Sequence, residues 1–252
     1  MPSPASRNVT SAPLFFLDTL ADPLPQIGAQ VQLDGDEGRH AAVVRRIRSG
    51  ETILIGDGRG RAVGGVVTEV SKASLVITVD RQLAAAEPAR RYLGVQALAK
   101  GDRGQLAVEM LTEVGVAEII PWQAARSIVH WSSEQGDKGL SRWRATAREA
   151  AKQSRRLNVP VLREPVTTAD LIDVVQNVDL ALILHEEAPD SLADVDLPER
   201  GTVMIIIGPE GGIAPAELTE LTAAGTRPVR ISDGILRTST AGVVALAGLM
   251  SR

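Results

Sequence analysis

The chain contains no cysteine, which excludes disulfides and thiolate metal sites and suits a reducing compartment. Aromatic residues are nearly as scarce, with two Phe, one Tyr and three Trp among 252 residues. An exposed aromatic platform for stacking nucleic-acid bases is therefore not expected, and Phe15 and Phe16 are assigned to a core. The three histidines (His40, His130, His185) lack metal-ligand spacing, so no structural metal is expected. No apolar run approaches the ~18–20 residues of a membrane span. Residues 1–12 are Ser/Pro-rich with a single Arg and no apolar centre, and read as a loose tail rather than a secretory signal. The motifs GxSxG and HExxH are missing as well. A soluble, cytoplasmic protein is expected.

Net charge, at −4, argues against a nucleic-acid partner until its distribution is read. Residues 39–61 hold six arginines, Arg39, Arg45, Arg46, Arg48, Arg59 and Arg61, against Glu51 and Asp57. Residues 142–156 hold six basic side chains against Glu149 alone, while acids gather over 170–199. Two solvated faces or two grips on a polyanion are both consistent with this pattern.

Up to about residue 90, Leu14–Leu17, Thr52–Ile55, Ala62–Val70 and Leu75–Val79 are short and rich in β-branched residues. Gly56-Asp57-Gly58-Arg59-Gly60 reads as a hairpin-type turn between two of them. With one helix over Asp36–Ile47 they predict a small β-barrel or sandwich. The stretch Ala84–Ala89 reads as a linker, which puts the first domain at 1–88. From Tyr92 onward strands alternate with helices. Strands are expected at Tyr92–Leu98, Ala117–Pro121, Leu180–Leu184, Val203–Ile207 and Pro228–Ile231, and helices at Gly104–Val114, Ser141–Leu157, Ala169–Val175, Pro215–Ala224 and Thr238–Met250. That alternation predicts an α/β domain over 89–252 with a mostly parallel sheet covered on both faces. Val203–Ile207 is apolar throughout, as a strand buried on both faces must be.

The segment Gly208-Pro209-Glu210-Gly211-Gly212 follows that strand and precedes a helix with Pro215 in its first turn. Ligands of open α/β sheets bind at the carboxyl ends of strands. Glycines let backbone N–H groups approach a ligand, and a turn with φ > 0 is expected at Gly211. The loop matches neither GxxxxGK[ST] nor GxGxxG, and Glu210 would repel a phosphate. A cationic cofactor without phosphate, such as S-adenosylmethionine, fits better; the alternative is a plain strand-to-helix turn. A second segment, Ile231 to Gly242, again follows a strand and opens a helix. Ordinary capping would account for Thr238 or Ser239, but not for a cation, Arg237, at the positive helix end, where it could meet a ligand carboxylate. On the helix from Ser141 to Leu157, Trp143, Ala147, Ala150 and Ala151 share one face. Arg144, Arg148, Lys152 and Arg155 form a stripe on another, suited to a phosphate backbone.

Further segments stand in a fixed order: Leu98-Ala99-Lys100-Gly101-Asp102-Arg103, Thr112-Glu113 with Gly115-Val116, Pro121 with Arg126-Ser127, and Arg142-Trp143 through Gln153-Ser154 to Arg156. Together with Gly208–Gly212, Ile235 to Thr238, Thr240-Ala241, Arg39-His40 and Gly50 to Gly58, they cover nearly the whole chain. In this ordered set the chain resembles the bacterial 16S ribosomal RNA uracil-N3 methyltransferases of the RsmE type, in the SPOUT class. It departs from their usual pattern at Ser232-Asp233-Gly234, at Ser239, at Met110 and at Leu14.

The resemblance implies a PUA-like β-barrel followed by a SPOUT-type α/β domain tied in a trefoil knot, which periodicity alone would not suggest. It implies a homodimer, with the small residues Ala241, Gly242, Ala245, Ala247 and Gly248 of the last helix against a twin. The cofactor, S-adenosyl-L-methionine, would lie among Leu184, His185, Gly208, Pro209, Glu210, Gly211, Gly212, Ile231, Ser232, Leu236, Arg237, Thr238 and Ala241. The RNA partner, 16S ribosomal RNA or the small ribosomal subunit, would meet Arg39, Arg45, Arg46, Arg48, Arg59, Arg61, Arg126, Arg144, Arg148, Lys152, Arg155 and Arg156. Methylation at N3 of a uridine needs a base, or a cation that stabilises the uracil anion. Arg237 is the candidate cation, and Glu210 the candidate base or an acceptor near the cofactor. The alternative is a non-catalytic RNA-binding assembly factor.

Overall fold

A computed structural model describes residues 12–252, the side chains at 133–135 excepted, so most of the expected tail lies outside the described residues. Two compact units emerge. One comprises the described residues up to Ala86 together with Ala151–Val159, the other Glu87–Ala150 and Pro160–Arg252.

The first unit is a five-stranded sheet of β1 (Leu14–Phe16), β2 (Gln30–Leu33), β3 (Thr52–Gly56), β4 (Arg61–Val70) and β5 (Leu75–Ala84), in the order β1-β3-β4-β5-β2. β1 runs parallel to β3 and the other pairs are antiparallel. Alternation decides which side chains enter the core: Phe15, Val31, Leu33, Ile53, Ile55 and Ile77 pack together on one face. Ala151, Leu157 and Val159 pack with Leu14, Phe16 and Leu54, which is why residues 151–159 count with this unit. At the β3–β4 turn Asp57 accepts the N–H groups of Arg59 (2.7 Å) and Arg61 (3.1 Å) and the Arg61 Nε (2.9 Å). Burial pushes its carboxyl upward, and these donors outweigh that and hold it below the usual carboxylate range. The single helix expected over Asp36–Ile47 is instead α1 (Gly35–Arg39) followed by one π-helical turn, His40–Val44. The widened turn lets the Ile47 N–H reach the Ala41 carbonyl, and Arg46 ends it at φ 54°.

The second unit holds β6 (Arg90–Ala97), β7 (Glu118–Trp122), β8 (Val161–Leu162), β9 (Leu180–Leu184), β10 (Gly201–Ile207) and β11 (Arg227–Val229). They form one sheet in the order β11-β9-β10-β6-β7-β8, and every pairing is parallel. The helices are α2 (Arg103–Val114), α3 (Ser133–Gln153, its end grouped with the first unit), α4 (Thr168–Val175), α5 (Pro215–Ala223) and α6 (Thr238–Met250). Leu171 and Val175 of α4 and Leu221 of α5 cover one sheet face over Leu93, Val95, Ile183, Met204 and Ile206. The helices α2 and α6 pack on each other and against β6, and α6 also packs on β10. A Cβ on Gly242 would lie 3.0 Å from Leu111 and 3.2 Å from Ile207, so glycine lets α6 lie this close.

Two further expectations about helices change. α3 stops at Gln153, not Leu157, because Arg155 takes a left-handed φ of 56°. The Arg156 N–H then turns back to the Ala151 carbonyl (2.9 Å) and the Arg155 N–H to that of Lys152 (3.1 Å), a Schellman termination. On α6, Ala241, Gly242 and Ala245 face inward and are buried within the chain itself, leaving Val244, Ala247 and Gly248 on the open side. Among the described residues no helix is long and apolar enough to cross a membrane.

Candidate functional site

From β6 the chain moves to β7 on one side of the sheet, and from β10 it moves past β9 to β11 on the other. The topological switch therefore lies between β6 and β10, where open α/β sheets hold ligands beyond the strand ends. Ile207 pairs with Gln96, and Ile206 with Ile183. The ends of β6, β10 and β9 are thus level, and Gly208–Gly212 leaves the sheet between Leu98 and Leu184.

A buried relay ties these ends together. The Thr238 hydroxyl donates to the Gly208 carbonyl at 2.7 Å and accepts from Gln96 Nε2 at 2.9 Å. Gln96 is fully buried, its Nε2 also donates to the Ala97 carbonyl, and its Oε1 has no partner among the described residues. Ordinary capping is not what Thr238 does. The N-cap is Arg237, which makes no side-chain cap bond and projects, exposed, without a carboxylate partner among the described residues. Sequence reasoning missed Gln96; its one signal was a lone amide inside the apolar run Tyr92–Leu98.

Glu210 Oε1 accepts from the Lys100 N–H (3.1 Å) and from Arg103 (3.3 Å), while its Oε2 is buried and without a partner among the described residues. Arg126 donates to the Gly211 carbonyl at 3.2 Å, so its guanidinium holds this loop. Behind it the buried Glu217 accepts from the Ala125 N–H, the Thr168 hydroxyl and the Ala214 N–H, fixing the turn that carries Arg126. The left-handed residue is Gly212, at φ 71°, and not Gly211; a Cβ on Gly211 would meet Arg126 only at 3.4 Å. Gly208 is tighter, since a Cβ there would lie 2.7 Å from Ile213. Pro209, Leu184, Thr238 and Ala241 are buried, and His185, Ile231 and Leu236 half-buried. His185 Nδ1 accepts the Glu187 N–H within its own turn. Ser232 is exposed and donates to the Gly234 carbonyl.

The basic residues sort differently from expectation. In the first unit Arg39, Arg45, Arg46, Arg48 and Arg59 are exposed, and their guanidinium groups have no carboxylate partner among the described residues. Arg61 is already bound by Asp57 and, at 2.7 Å, by Asp22. The basic residues expected along α3 do not form one exposed stripe. Lys152 is buried and paired with Glu37 at 2.7 Å, and Arg155 lies past the helix end. Arg156 is half-buried, and burial lowers its pKa. Arg144 pairs with Glu164 at the surface (3.0 Å), and Arg148 is half-buried and engaged. A bridge between Arg59 and Asn158 brings the Arg59 turn beside the segment carrying Arg155 and Arg156.

Residues 87–250 match the model of the RNA methyltransferase domain, and residues 33–80 that of the RNA methyltransferase PUA domain. The ribosomal RNA small subunit methyltransferase E of Mycobacterium bovis is 44% identical over 242 residues, covering 94% of this chain and 91% of that one. Its counterpart in Bacillus subtilis is 30% identical, over 86% of this chain and 88% of that one. Among solved structures, a ribosomal RNA small subunit methyltransferase E from Neisseria gonorrhoeae bound to S-adenosyl methionine superposes with a TM-score of 0.83. It is 26% identical, and the match covers 95% of this chain and 97% of that one.

Proposed function

The chain belongs to the ribosomal RNA small subunit methyltransferase E family, and from that premise we infer that it methylates small-subunit ribosomal RNA with S-adenosylmethionine, at N3 of a uridine in 16S RNA. The observation that carries the reading is the Gln96–Thr238–Gly208 relay, which fixes the 208–212 loop and the start of α6 at the switch point of the sheet. The residues fit a cationic, phosphate-free cofactor. Glu210 Oε2 is a buried acceptor with no partner among the described residues, and Gly212 opens the backbone at φ 71°. S-adenosylmethionine, when bound, would supply a methyl group on a sulfonium, leaving a neutral thioether, with the proton of uracil N3 passing to solvent water.

What the protein adds is position and charge. Glu210, with its Oε1 held by Lys100 and Arg103 and its Oε2 without a partner among the described residues, serves as an acceptor near the cofactor. Arg237, exposed at the helix N-cap, stabilises negative charge on O2 or O4 as the N3 proton leaves. Arg39, Arg45, Arg46, Arg48 and Arg59 hold RNA phosphates. The C-terminal segment is threaded as a trefoil knot, and the exposed Val244 with Ala247 and Gly248 meets a second copy. Mass mapping of modified nucleosides in ribosomal RNA, from cells with and without the protein, tests the reaction. Loss of one N3-methyluridine is expected, restored by the wild-type chain but not by Arg237→Ala. An unchanged nucleoside profile would refute it.

A further inference from the structure

Arg126 stands on the turn that follows β7, exposed and without a carboxylate partner among the described residues. Its Nη1 donates to the Gly211 carbonyl at 3.2 Å. A Cβ on Gly211 would stand 3.4 Å from the Arg126 Cβ and carbonyl oxygen, and one on Gly212 3.8 Å from Nη1. The arginine therefore lies along the loop backbone from its own main chain to its tip. The residue before it, Ala125, is held by Glu217. That carboxylate is 6% exposed and collects three neutral donors from three segments. Oε1 accepts from the Ala125 N–H at 2.8 Å and from the Thr168 hydroxyl, at the start of α4, at 2.6 Å. Oε2 accepts from the Ala214 N–H, at the start of α5, at 3.3 Å. Thr168 in turn accepts from the Trp122 indole N–H, at the end of β7, at 3.1 Å. A buried carboxylate is costly unless hydrogen-bonded, and these donors offset the cost.

We propose that Glu217 and Arg126 are positioning residues that set cofactor affinity, Glu217 by aiming Arg126 and Arg126 by holding the Gly211 carbonyl; that the loop's ligand is S-adenosylmethionine rests on the reading above. Arg126 thus serves the cofactor loop and is not a grip on RNA phosphate. The loop is pinned along its length. Thr238 holds the Gly208 carbonyl, the Gly212 N–H turns back to the Pro209 carbonyl at 3.0 Å, and Arg126 holds Gly211 between them. Glu217 adds what none of these contacts can supply. Through Ala214 it fixes the point where the loop enters α5, and through Ala125 it fixes the turn that carries the loop's clamp. One carboxylate therefore sets clamp and loop in a constant relation. Arginine suits the part, because its planar fork is pre-organised and loses less freedom per hydrogen bond than a lysine ammonium. A loop ordered before the ligand arrives spares the ordering cost on binding.

Amide hydrogen exchange in the full-length chain without cofactor reads the loop directly, and isothermal titration with S-adenosylmethionine reads its consequence. In Arg126→Ala the amides of residues 210–213 should exchange faster. The S-adenosylmethionine Kd should rise about tenfold, the worth of one charge-assisted hydrogen bond. Affinity for small-subunit RNA and its salt slope should stay at wild type. Glu217→Ala should act in the same direction, and Glu217→Gln, which keeps an oxygen for Ala125 and Thr168, should recover most of the loss. Since both residues act through one contact, the double variant should bind cofactor no more weakly than Glu217→Ala alone. Should Glu217→Ala fail to fold, Arg126→Ala, at an exposed position, still carries the test. Native loop exchange with wild-type Kd in Arg126→Ala overturns the proposal, as do additive losses in the double variant. A salt slope flattened by about 0.7–0.9 in Arg126→Ala, with loop exchange unchanged, overturns it by making Arg126 a phosphate contact. A lower Tm in Glu217→Ala with wild-type Kd makes Glu217 merely structural and overturns it too. A wild-type chain that binds no S-adenosylmethionine, with loop exchange quickened in the variants, keeps the brace and loses the reading of its ligand.

Discussion

Replacing Thr238 with valine keeps its shape and β-branching and removes only the hydroxyl between Gln96 and Gly208. Two hydrogen bonds, of 2.9 and 2.7 Å, disappear. Gln96 is fully buried and keeps only its 3.1 Å bond to Ala97, whereas the half-buried Gly208 carbonyl can turn to water. One buried group thus loses its better partner, a cost of about 1–3 kcal/mol. In a protein of this size each kcal/mol lowers Tm by ~2–4 °C, so calorimetric melting should show a fall of about 2–12 °C. The freed Gly208 loop must also be re-ordered on binding. If about 1.4 kcal/mol of the cost reappears there, the S-adenosylmethionine Kd rises about tenfold by isothermal titration. Thr238→Ser, which retains the hydroxyl, should recover the affinity. Wild-type Tm and Kd in Thr238→Val would refute the idea that this relay shapes the site.

Other substitutions probe separate parts of the molecule. Gly212→Val forces a β-branched residue to φ 71° and should abolish cofactor binding by titration in a chain with native circular dichroism, while Gly211→Ala should bind nearly as wild type. Arg45→Ala and Arg59→Ala should each weaken RNA binding and reduce the log–log salt slope by about 0.7–0.9 per lost phosphate contact, with cofactor affinity unchanged. Arg61→Ala should instead lower the stability of the first unit. Asp57, held below the usual carboxylate range by the Arg59 and Arg61 donors, contributes stability that is present above its unfolded pKa and lost as pH falls through its lower folded pKa. Acid titration of Asp57→Asn should therefore show less loss of stability below pH ~4 than the wild type.

Local pattern was readable where one element decides its own fate. The strand Leu180–Leu184 and the helix Thr238–Met250 have the ends that apolar content and flanking residues implied. β2 is not legible from sequence although Gln30-Val31-Gln32-Leu33 alternates cleanly, because four residues after Pro23 and Pro25 carry little signal. β8, two residues long, carries less. Site residues were readable when they sat in a loop of unusual composition, as Gly208–Gly212 does. They were hidden when their meaning lay in a distant partner. Gln96 and Thr238 are 142 positions apart, and Lys152 and Glu37 are 115 apart. Helical spacing put Lys152 on an outward stripe, but spacing cannot say which side of a helix another segment will cover.

Residues 151–159 complete the first unit's core although they lie more than sixty positions beyond its last strand. Synthesis is vectorial, and a unit usually folds as it leaves the ribosome. Here Leu14, Phe16 and Leu54 lack Ala151, Leu157 and Val159 until that much more chain has emerged. The nascent N-terminal sheet therefore waits, with an apolar face uncovered, while β6, α2 and β7 of the other unit are already being made. A ribosomal arrest series should show the sheet gaining protease resistance only when the chain has been extended past Val159, and not when Ala86 emerges.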